Sequence, residues 1–302
     1  MTKIAILGAS GFVGQNLSFF LSKIYDVNPV SLRNEDWKVL TKDSNVVINL
    51  VGKAHDHKGV ATEVDYYFAN LDLAKDVFTE FMRSDAKLFI HVSSLAATEE
   101  FESNIPLDES QKPNPQSFYG KSKRAAEEWL LDQDLLQCKK LIILRPPMIH
   151  GPGDKGNLGL LYKLISKGIP YPLASFDNRR SFISIDNFTF FIKEIIEKQN
   201  LIESGIYHIS DDESISTKQI IEIIKKVENK NVINLSLPKS VVKALAKVGD
   251  VLPLPLNTKR LKKMTSNLLV SNKEIKSALG IEKLPLSSEE GLEITIKSFK
   301  AR

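Results

Sequence analysis

The chain has 302 residues, 42% hydrophobic and 26% charged, which suits one large or two smaller globular domains with enough chain to bury a core. A formal net charge of +4 is mild, and the basic residues are scattered apart from "KRLKK", Lys259 to Lys263, so the balance argues against nucleic acid as a main partner; that cluster reads as a solvated surface, with contact to an anionic ligand as the alternative. The one cysteine, Cys138, excludes an internal disulfide and a cysteine-based metal site, and fits a reducing compartment.

The opening "MTKIAILGASG" reads as a buried strand from the third residue, leaving no room for a secretory signal. No apolar run approaches the ~18 residues needed to cross a bilayer, so a cytoplasmic protein without a membrane span is expected. Strand-like runs follow at Ile4 to Leu7, Asn28 to Leu32 (the weaker one), Val46 to Leu50, Leu88 to Val92 and Leu141 to Leu144, separated by helix-like stretches. Such alternation means parallel strands joined by crossover helices, an α/β fold. Arg33 to Lys42 is too short for a further strand and helix. Beyond Arg145 the texture turns to proline, glycine and loops, then "GIYHIS", Gly205 to Ser210, returns to the sheet; helices around Thr217 to Glu228 and Ser240 to Val248 belong to a smaller carboxy-terminal lobe.

Gly8, Gly11 and Gly14 in "LGASGFVG" lie between the first strand and the helix through Phe20. Glycines there let backbone N–H groups approach a pyrophosphate, and the helix terminus adds partial positive charge; a plain tight turn is the alternative. The cofactor is chosen ~20 residues on, where a carboxylate accepts from a ribose hydroxyl and an arginine meets a 2′-phosphate. "VSLRNEDW" puts Arg33 there, favouring NADP(H), with NAD(H) still open. Ser93 and Ser94 end the central strand "LFIHV", where ligands of open parallel sheets bind. Tyr119 and Lys123, four residues apart in "SFYGKSKRAAEEW", share one face of the next helix. A lysine-rich chain supplies such pairs by chance, so their meaning comes from the surroundings.

The glycine turn, strand-end serine, "YGKSK" and "RPPMIHGPG", in this order, resemble the extended short-chain dehydrogenase/reductase family, the nucleotide-sugar epimerases, dehydratases and ketoreductases; the likeness extends to "PLDESQKPNPQSFYGKSK" and "NRRSFISIDN" and covers essentially the whole chain. The resemblance implies a Rossmann doubly wound parallel sheet with a smaller substrate lobe. Residues 1–151 plus about 181–212 would hold the dinucleotide, and about 152–180 and 213–302 the sugar nucleotide. It makes Ser94, Tyr119 and Lys123 the catalytic triad. A free phenol has a pKa near ~10, and Lys123 with the charge of an oxidised nicotinamide would lower it; Ser94 would hold the substrate oxygen. Gly8, Ser10, Gly11, Phe12, Val13 and Gly14 would cradle the cofactor phosphates. Leu50, Val51 and Gly52 would flank its adenosine, Pro146 and Ile149 its nicotinamide, and Lys123 its ribose. Asn70 in "FANLDLAKD" matches an asparagine that orders the strand-end backbone, with a helix amino cap as the alternative. Arg180 matches the arginine that clamps the substrate's diphosphate, and Asn157 and Arg260 are weaker candidates in that lobe. His55 and His57 in "GKAHDHKG" lack further ligands, so no metal is expected.

Dehydratases of this group carry an Asp-Glu pair after the strand-end hydroxyl residue; here Leu95, Ala96 and Ala97 follow Ser94, which argues against dehydration. The branch most similar reduces UDP-4-keto-6-deoxy-N-acetylhexosamines at C4. A nucleotide-sugar 4-epimerase is the alternative, and a non-catalytic dinucleotide sensor a third reading. Family members often pair as homodimers through a four-helix arrangement, so that assembly is expected too.

Overall fold

The computed structural model describes every residue except 55–59, 155, 172, 174, 231, 234, 253–256 and 302, together with the side chains of residues 259 and 263. The apolar runs become a six-stranded, wholly parallel sheet in the order Gly205–His208, Lys140–Arg145, Leu88–Val92, Val46–Asn49, Lys3–Leu7, Asp26–Val30. Apart from the edge strand Asp26–Val30, these strands are largely apolar without alternation because helices cover both faces. Ile4, Ile6, Ile48, Ile90 and Ile142 pack with helices Phe12–Leu21 and Ile185–Glu197. Ala5, Leu7, Val47, Phe89 and Ile143 pack on the other face with helices Leu73–Arg83 and Phe118–Leu131. The fold is therefore the expected α/β Rossmann-like architecture.

Strand order reverses around Lys3–Leu7, whose neighbours are the second and third strands in the chain. Loops leaving a sheet on opposite sides of such a point open a crevice at the carboxyl edge. The glycine turn after Leu7 and the segment after Asn49 border that crevice.

The second strand is displaced from its expected place. It forms at Asp26–Val30, two residues early, because it pairs in register from Lys3 with Asp26 to Leu7 with Val30. Pro29 fits within it because the strand lies at the sheet's edge, where a missing N–H leaves no central ladder broken. The stretch after it holds only the short helix Trp37–Lys42.

A second sheet, Ile215–Ser216, Arg179–Arg180, Leu268–Val270, Ser103–Leu107, draws on four remote segments. Beside it Leu158, Ile165, Ile220, Ile224, Val242, Leu292 and Ile296 form a separate core. Ile275, Leu279, Ile281 and Leu284 pack on the first core instead, although they fall within the 213–302 stretch expected to belong to the lobe. Among the described residues no helix is long and apolar enough to cross a membrane.

Candidate active site

Gly8 adopts φ +85, a left-handed conformation that disfavours any side chain, and a Cβ on it would stand 3.0 Å from the Leu50 carbonyl carbon and the Val51 nitrogen. A Cβ on Gly14 would come within 2.4 Å of the Gly8 oxygen, so this glycine lets the helix pack on the turn. Gly11 is different. It caps helix Phe12–Leu21 without a side-chain hydrogen bond, the first turn carries no acid, and the only nearby atom for a Cβ is the Gly8 oxygen at 3.5 Å. That terminus keeps backbone N–H groups and positive dipole toward open space, a cradle that fits a dinucleotide pyrophosphate. Ser10 is exposed and Phe12 and Val13 are half-buried around it. Leu50 is tied by its N–H to Leu7 O at 2.9 Å, and Val51 by its N–H to Asn49 Oδ1 at 3.0 Å. Arg33 is exposed on the turn three residues past the second strand, its N–H 3.4 Å from Ser31 Oγ.

Ser117 begins helix Phe118–Leu131 as an amino cap, its Oγ accepting from Gly120 N at 3.0 Å. Glu100 secures that cap, accepting from Ser117 N at 2.8 Å and Ser117 Oγ at 2.7 Å. Gly120 permits the approach: a Cβ there would meet Ala96 O at 2.4 Å and Glu100 Oε1 at 2.5 Å. The helix start is thereby pressed against Leu95–Ala97, a single 3-10 turn capped by Ser94. Pro146 O accepts from Leu95 N at 2.8 Å and Ser93 N donates to Leu144 O at 2.8 Å, which anchors the serine pair to the neighbouring strand's end. Ile149 lies in strand Met148–His150, paired with Ile183.

The folding brings Ser94 close enough to Tyr119 for its hydroxyl to act on the phenol, while Ser94 Oγ itself accepts from Ala96 N at 3.2 Å. Burial raises the Tyr119 pKa above its usual value, the Ser94 hydroxyl opposes the rise, and Glu100 and Tyr66 add to it. The Lys123 ammonium, one helical turn on, is buried and donates to Val92 O at 2.9 Å. Its own pKa is lowered to about 8 by burial, with Glu127 opposing.

Asn70 is fully buried in a π-helical turn, Phe68–Asp72, so it is not a helix amino cap. Its Oδ1 accepts from Lys53 N at 2.7 Å, while Nδ2 donates to Lys53 O at 3.2 Å and Ser122 Oγ at 2.8 Å. It thus pins the loop after the third strand to the Tyr119 helix. Gly52 lies in the same junction, a Cβ on it falling 2.7 Å from Asn70 Oδ1 and 3.0 Å from Lys123 Nζ.

The lobe candidates are more dispersed. Arg180 sits in the second sheet between Ile215 and Leu268, donates to Ser266 O at 3.3 Å, and has its pKa lowered to about 10 by burial, so it keeps its charge at neutral pH. Asn157 starts helix Asn157–Ser166 and is exposed; among the described residues no hydrogen bond joins it to Ser94 or Tyr119. Arg260 is exposed in helix Thr258–Thr265, its N–H donating to the Asn257 cap at 2.8 Å. His55 and His57 lie outside the described residues, and among those described no group of three His, Cys, Asp or Glu could hold a metal.

Sequence reasoning missed the buried group behind Lys123. Glu127 accepts from Arg145 Nε at 2.9 Å, from Arg145 Nη2 at 2.6 Å and from Ser93 Oγ at 2.5 Å. A usable signal existed: Tyr119, Lys123 and Glu127 fall at i, i+4 and i+8, and Ala126 and Leu130 beside them mark that face as buried.

The model of the NAD dependent epimerase/dehydratase family matches residues 4–210. Over 98% of its length the chain is 26% identical to a UDP-glucose 4-epimerase of Vibrio cholerae, of which 95% is covered. Among solved structures, UDP-glucuronic acid 4-epimerase from Bacillus cereus in complex with UDP-glucuronic acid and NAD superposes with a TM-score of 0.79 at 18% identity, over 99% of both chains. RMD from Pseudomonas aeruginosa complexed with NADPH gives 0.76 at 17% identity, over 100% of both.

Proposed function

The chain belongs to the NAD dependent epimerase/dehydratase family and is an enzyme, and from that premise we propose that it carries out reversible oxidation and reduction at C4 of a nucleoside-diphosphate sugar, most simply a UDP-sugar. The observation that supports this most is the buried Tyr119 phenol with Ser94 beside it, one helical turn from a buried Lys123, at the carboxyl edge of the sheet and beside an uncapped glycine-turn helix. A nicotinamide dinucleotide, when bound, supplies the acceptor and donor of hydride. The backbone N–H groups at Phe12 and Val13 would hold its pyrophosphate, Leu50 to Gly52, Pro146 and Ile149 its two ends, and Lys123 its ribose.

The chain's own residues account for the proton. Burial keeps Tyr119 a neutral phenol near pH 7, ready to donate to a C4 carbonyl oxygen; when the C4 hydroxyl is oxidised, the same phenol oxygen is the site that accepts the proton. Ser94 orients that oxygen with its hydroxyl. Arg180, charged and half-buried in the lobe, would receive the diphosphate, with Asn157 and Arg260 nearer the surface. In this division residues 1–151 and about 181–212 serve the cofactor, while most of 152–180 and 213–302 serves the sugar nucleotide. The acids nearest Ser94 are engaged: Glu99 Oε1 accepts from Glu100 N and Phe101 N, and Glu100 secures the Tyr119 helix. Among the described residues, this argues against their serving as an acid-base pair for eliminating water.

Two readings share this machinery. Epimerisation, oxidation at C4 followed by reduction on the opposite face in one binding event, is supported by the end-to-end likeness to a UDP-glucose 4-epimerase. Net reduction of a UDP-4-keto-6-deoxy-N-acetylhexosamine by NADPH is supported by Arg33 and by the neutral resting phenol. Incubation with UDP-glucose or UDP-N-acetylglucosamine, followed by NMR of the sugar, reads the first; loss of NADPH absorbance with the 4-keto sugar reads the second. Neither product nor cofactor turnover across both substrate classes would sink the C4 assignment. A homodimer through helices Leu73–Arg83 and Phe118–Leu131 belongs to the same proposal, and a monomeric mass in solution would remove it.

A further inference from the structure

Charge is shared unevenly along the chain. Residues 239–263 hold seven lysines and arginines against one acid, Asp250, a net +6 in a chain whose total is +4, so that everything outside this stretch sums to −2. That acid is already engaged: Asp250 accepts from Thr258 N at 2.9 Å and from Thr258 Oγ1 at 2.5 Å, which fastens helix Thr258–Thr265 to helix Lys239–Val251. Leu261 of the later helix joins Val242 and Ala246 of the earlier one in the lobe core. The two helices therefore make one basic projection on the lobe, and apart from Arg260 the C4 chemistry has no use for it.

Helix Lys239–Val251 meets the lobe through a narrow seam. Only Val242, Ala246 and Gly249 are buried and the other ten of its thirteen residues are exposed, so the helix stands out as a ridge and does not wall a groove. At about 100° per residue, its exposed side divides into two rows. Val241, Leu245 and Val248 form one, each close to half exposed; Lys239, Lys243 and Lys247 form the other, with Ser240 and Ala244 between them. Val251, 85% exposed, and Leu252 add apolar surface at the carboxyl end. Single exposed aliphatic residues are ordinary, but a continuous row of them marks an interaction surface. A convex ridge with aliphatic side chains beside ammonium groups matches a surface that is negative on top, apolar just beneath and able to yield. Nucleic acid fits worse, because residues 239–263 contain no Phe, Tyr or Trp to stack on bases.

We propose that this ridge docks the protein on an anionic phospholipid surface, the row of Val241, Leu245 and Val248 entering the headgroup layer and the lysine row lying against the phosphates. The helix lies along that surface and not through it, since its length of about 20 Å falls short of the ~30 Å bilayer core. The proposal stands apart from the C4 reading: it concerns where the enzyme sits, not what it converts. Among the described residues Lys243 and Lys247 have no acidic partner, whereas Lys262 meets Glu102 at 3.3 Å and Lys239 lies 5.6 Å over the Phe176 ring. Lys243 and Lys247 are therefore the lysines to change.

Co-sedimentation of the full chain with vesicles of phosphatidylcholine, alone or with about one third phosphatidylglycerol, tests the proposal. Partitioning onto the mixed vesicles should be at least about tenfold stronger, and the excess should fade as salt is raised. Leu245→Glu with Val248→Glu should weaken that partitioning about tenfold or more, and Lys243→Glu with Lys247→Glu should abolish the preference for the mixed vesicles, both with thermal unfolding midpoints unchanged. Should either pair unfold early, the single changes Leu245→Gln and Lys247→Gln carry the test, with about a threefold loss each. Equal, weak pelleting with both vesicle types overturns the proposal and leaves the ridge to an acidic protein surface. Pelleting lost on the lysine changes but untouched by the apolar ones overturns it too, since that is the behaviour of a basic surface toward any polyanion. So does a mass in solution that the apolar changes halve, which would give the ridge to a second copy of the chain. Vesicle binding reads no turnover, so none of these results bears on the C4 assignment.

Discussion

The two sheets of the molecule are made in different ways. In the large one the strands are four to six residues long, apolar except at the edge strand Asp26–Val30, and the central ones are buried along nearly their whole length. In the small one, Arg179–Arg180 and Ile215–Ser216 are two residues each, Leu268–Val270 is three, and the pairing with Ser103–Leu107 shifts register. Strength in the first comes from local apolar sequence packed on both faces; in the second, distant segments meet, Leu107, Leu268 and Val270 packing with Leu95 and Ile215 joining the core of Ile220, Ile224, Leu292 and Ile296. The groups assigned to proton transfer stand on the first, and the groups assigned to the sugar nucleotide stand on the second. Changes on the two sides should therefore separate in kinetics, the first lowering kcat and the second raising KM.

The largest effect should come from the rigid side. Tyr119→Phe removes the proton donor and should lower kcat by about a thousandfold while cofactor affinity, measured by fluorescence titration, stays within a factor of a few. Near-normal turnover would remove Tyr119 as the proton donor, whereas cofactor binding without turnover in the unaltered protein would favour a sensor.

Next is the response to acid, which reads burial in and beside the large sheet. His150 and His208 have pKa values lowered to about 4 by burial and His91 is lowered well below its usual value, so their stabilising contribution is present above the unfolded histidine value and lost as pH falls. Asp211, raised to about 7 by burial, works in the opposite sense, its contribution lost as pH rises. At pH 5 the unfolded chain holds three histidine protons that the folded one lacks, and the folded chain holds one on Asp211, a net difference of two. Stability should then rise by about 3 kcal/mol per pH unit in that range. Thermal unfolding midpoints that stay flat between pH 4.5 and 6.5 would contradict this.

Gly120→Ala forces a Cβ onto the Ala96 carbonyl and the Glu100 carboxylate, and should cost about 1–3 kcal/mol in denaturant unfolding, with kcat falling as the helix start is displaced. On the lobe side, Arg180→Ala should raise KM for the sugar nucleotide by about tenfold to a hundredfold with a much smaller change in kcat. The smallest change belongs to Arg33→Ala, which should lower preference for NADPH over NADH by about tenfold, since an exposed arginine meets its anion in a screened setting. No change in that ratio would remove the argument for NADPH.

The parallel sheet was legible because buried strands need uninterrupted Val, Ile and Leu, and the glycine turn because its spacing has a backbone meaning. Tyr119 and Lys123 were legible as a same-face pair. Strand Ser103–Leu107 was not, since its burial comes from Leu268, a partner 165 positions away, and strands of two residues have no period to detect. Asn70 was legible as a residue of interest but not as the centre of a π turn, which depends on Lys53 and Ser122 being brought to it. Glu127 hid as an ordinary charged residue in a helix.

By itself the sequence determined the layered α/β architecture, the open helix terminus at Gly11 and the phenol-ammonium pair, because each follows from spacing and backbone conformation within a few residues. Tertiary structure alone decided the protonation of that pair. Burial of Tyr119 and Lys123, the Ser94 hydroxyl and the Glu127–Arg145 clamp are contributed by separate strands and helices, and a pKa responds to every charge and every removed water that packing brings near.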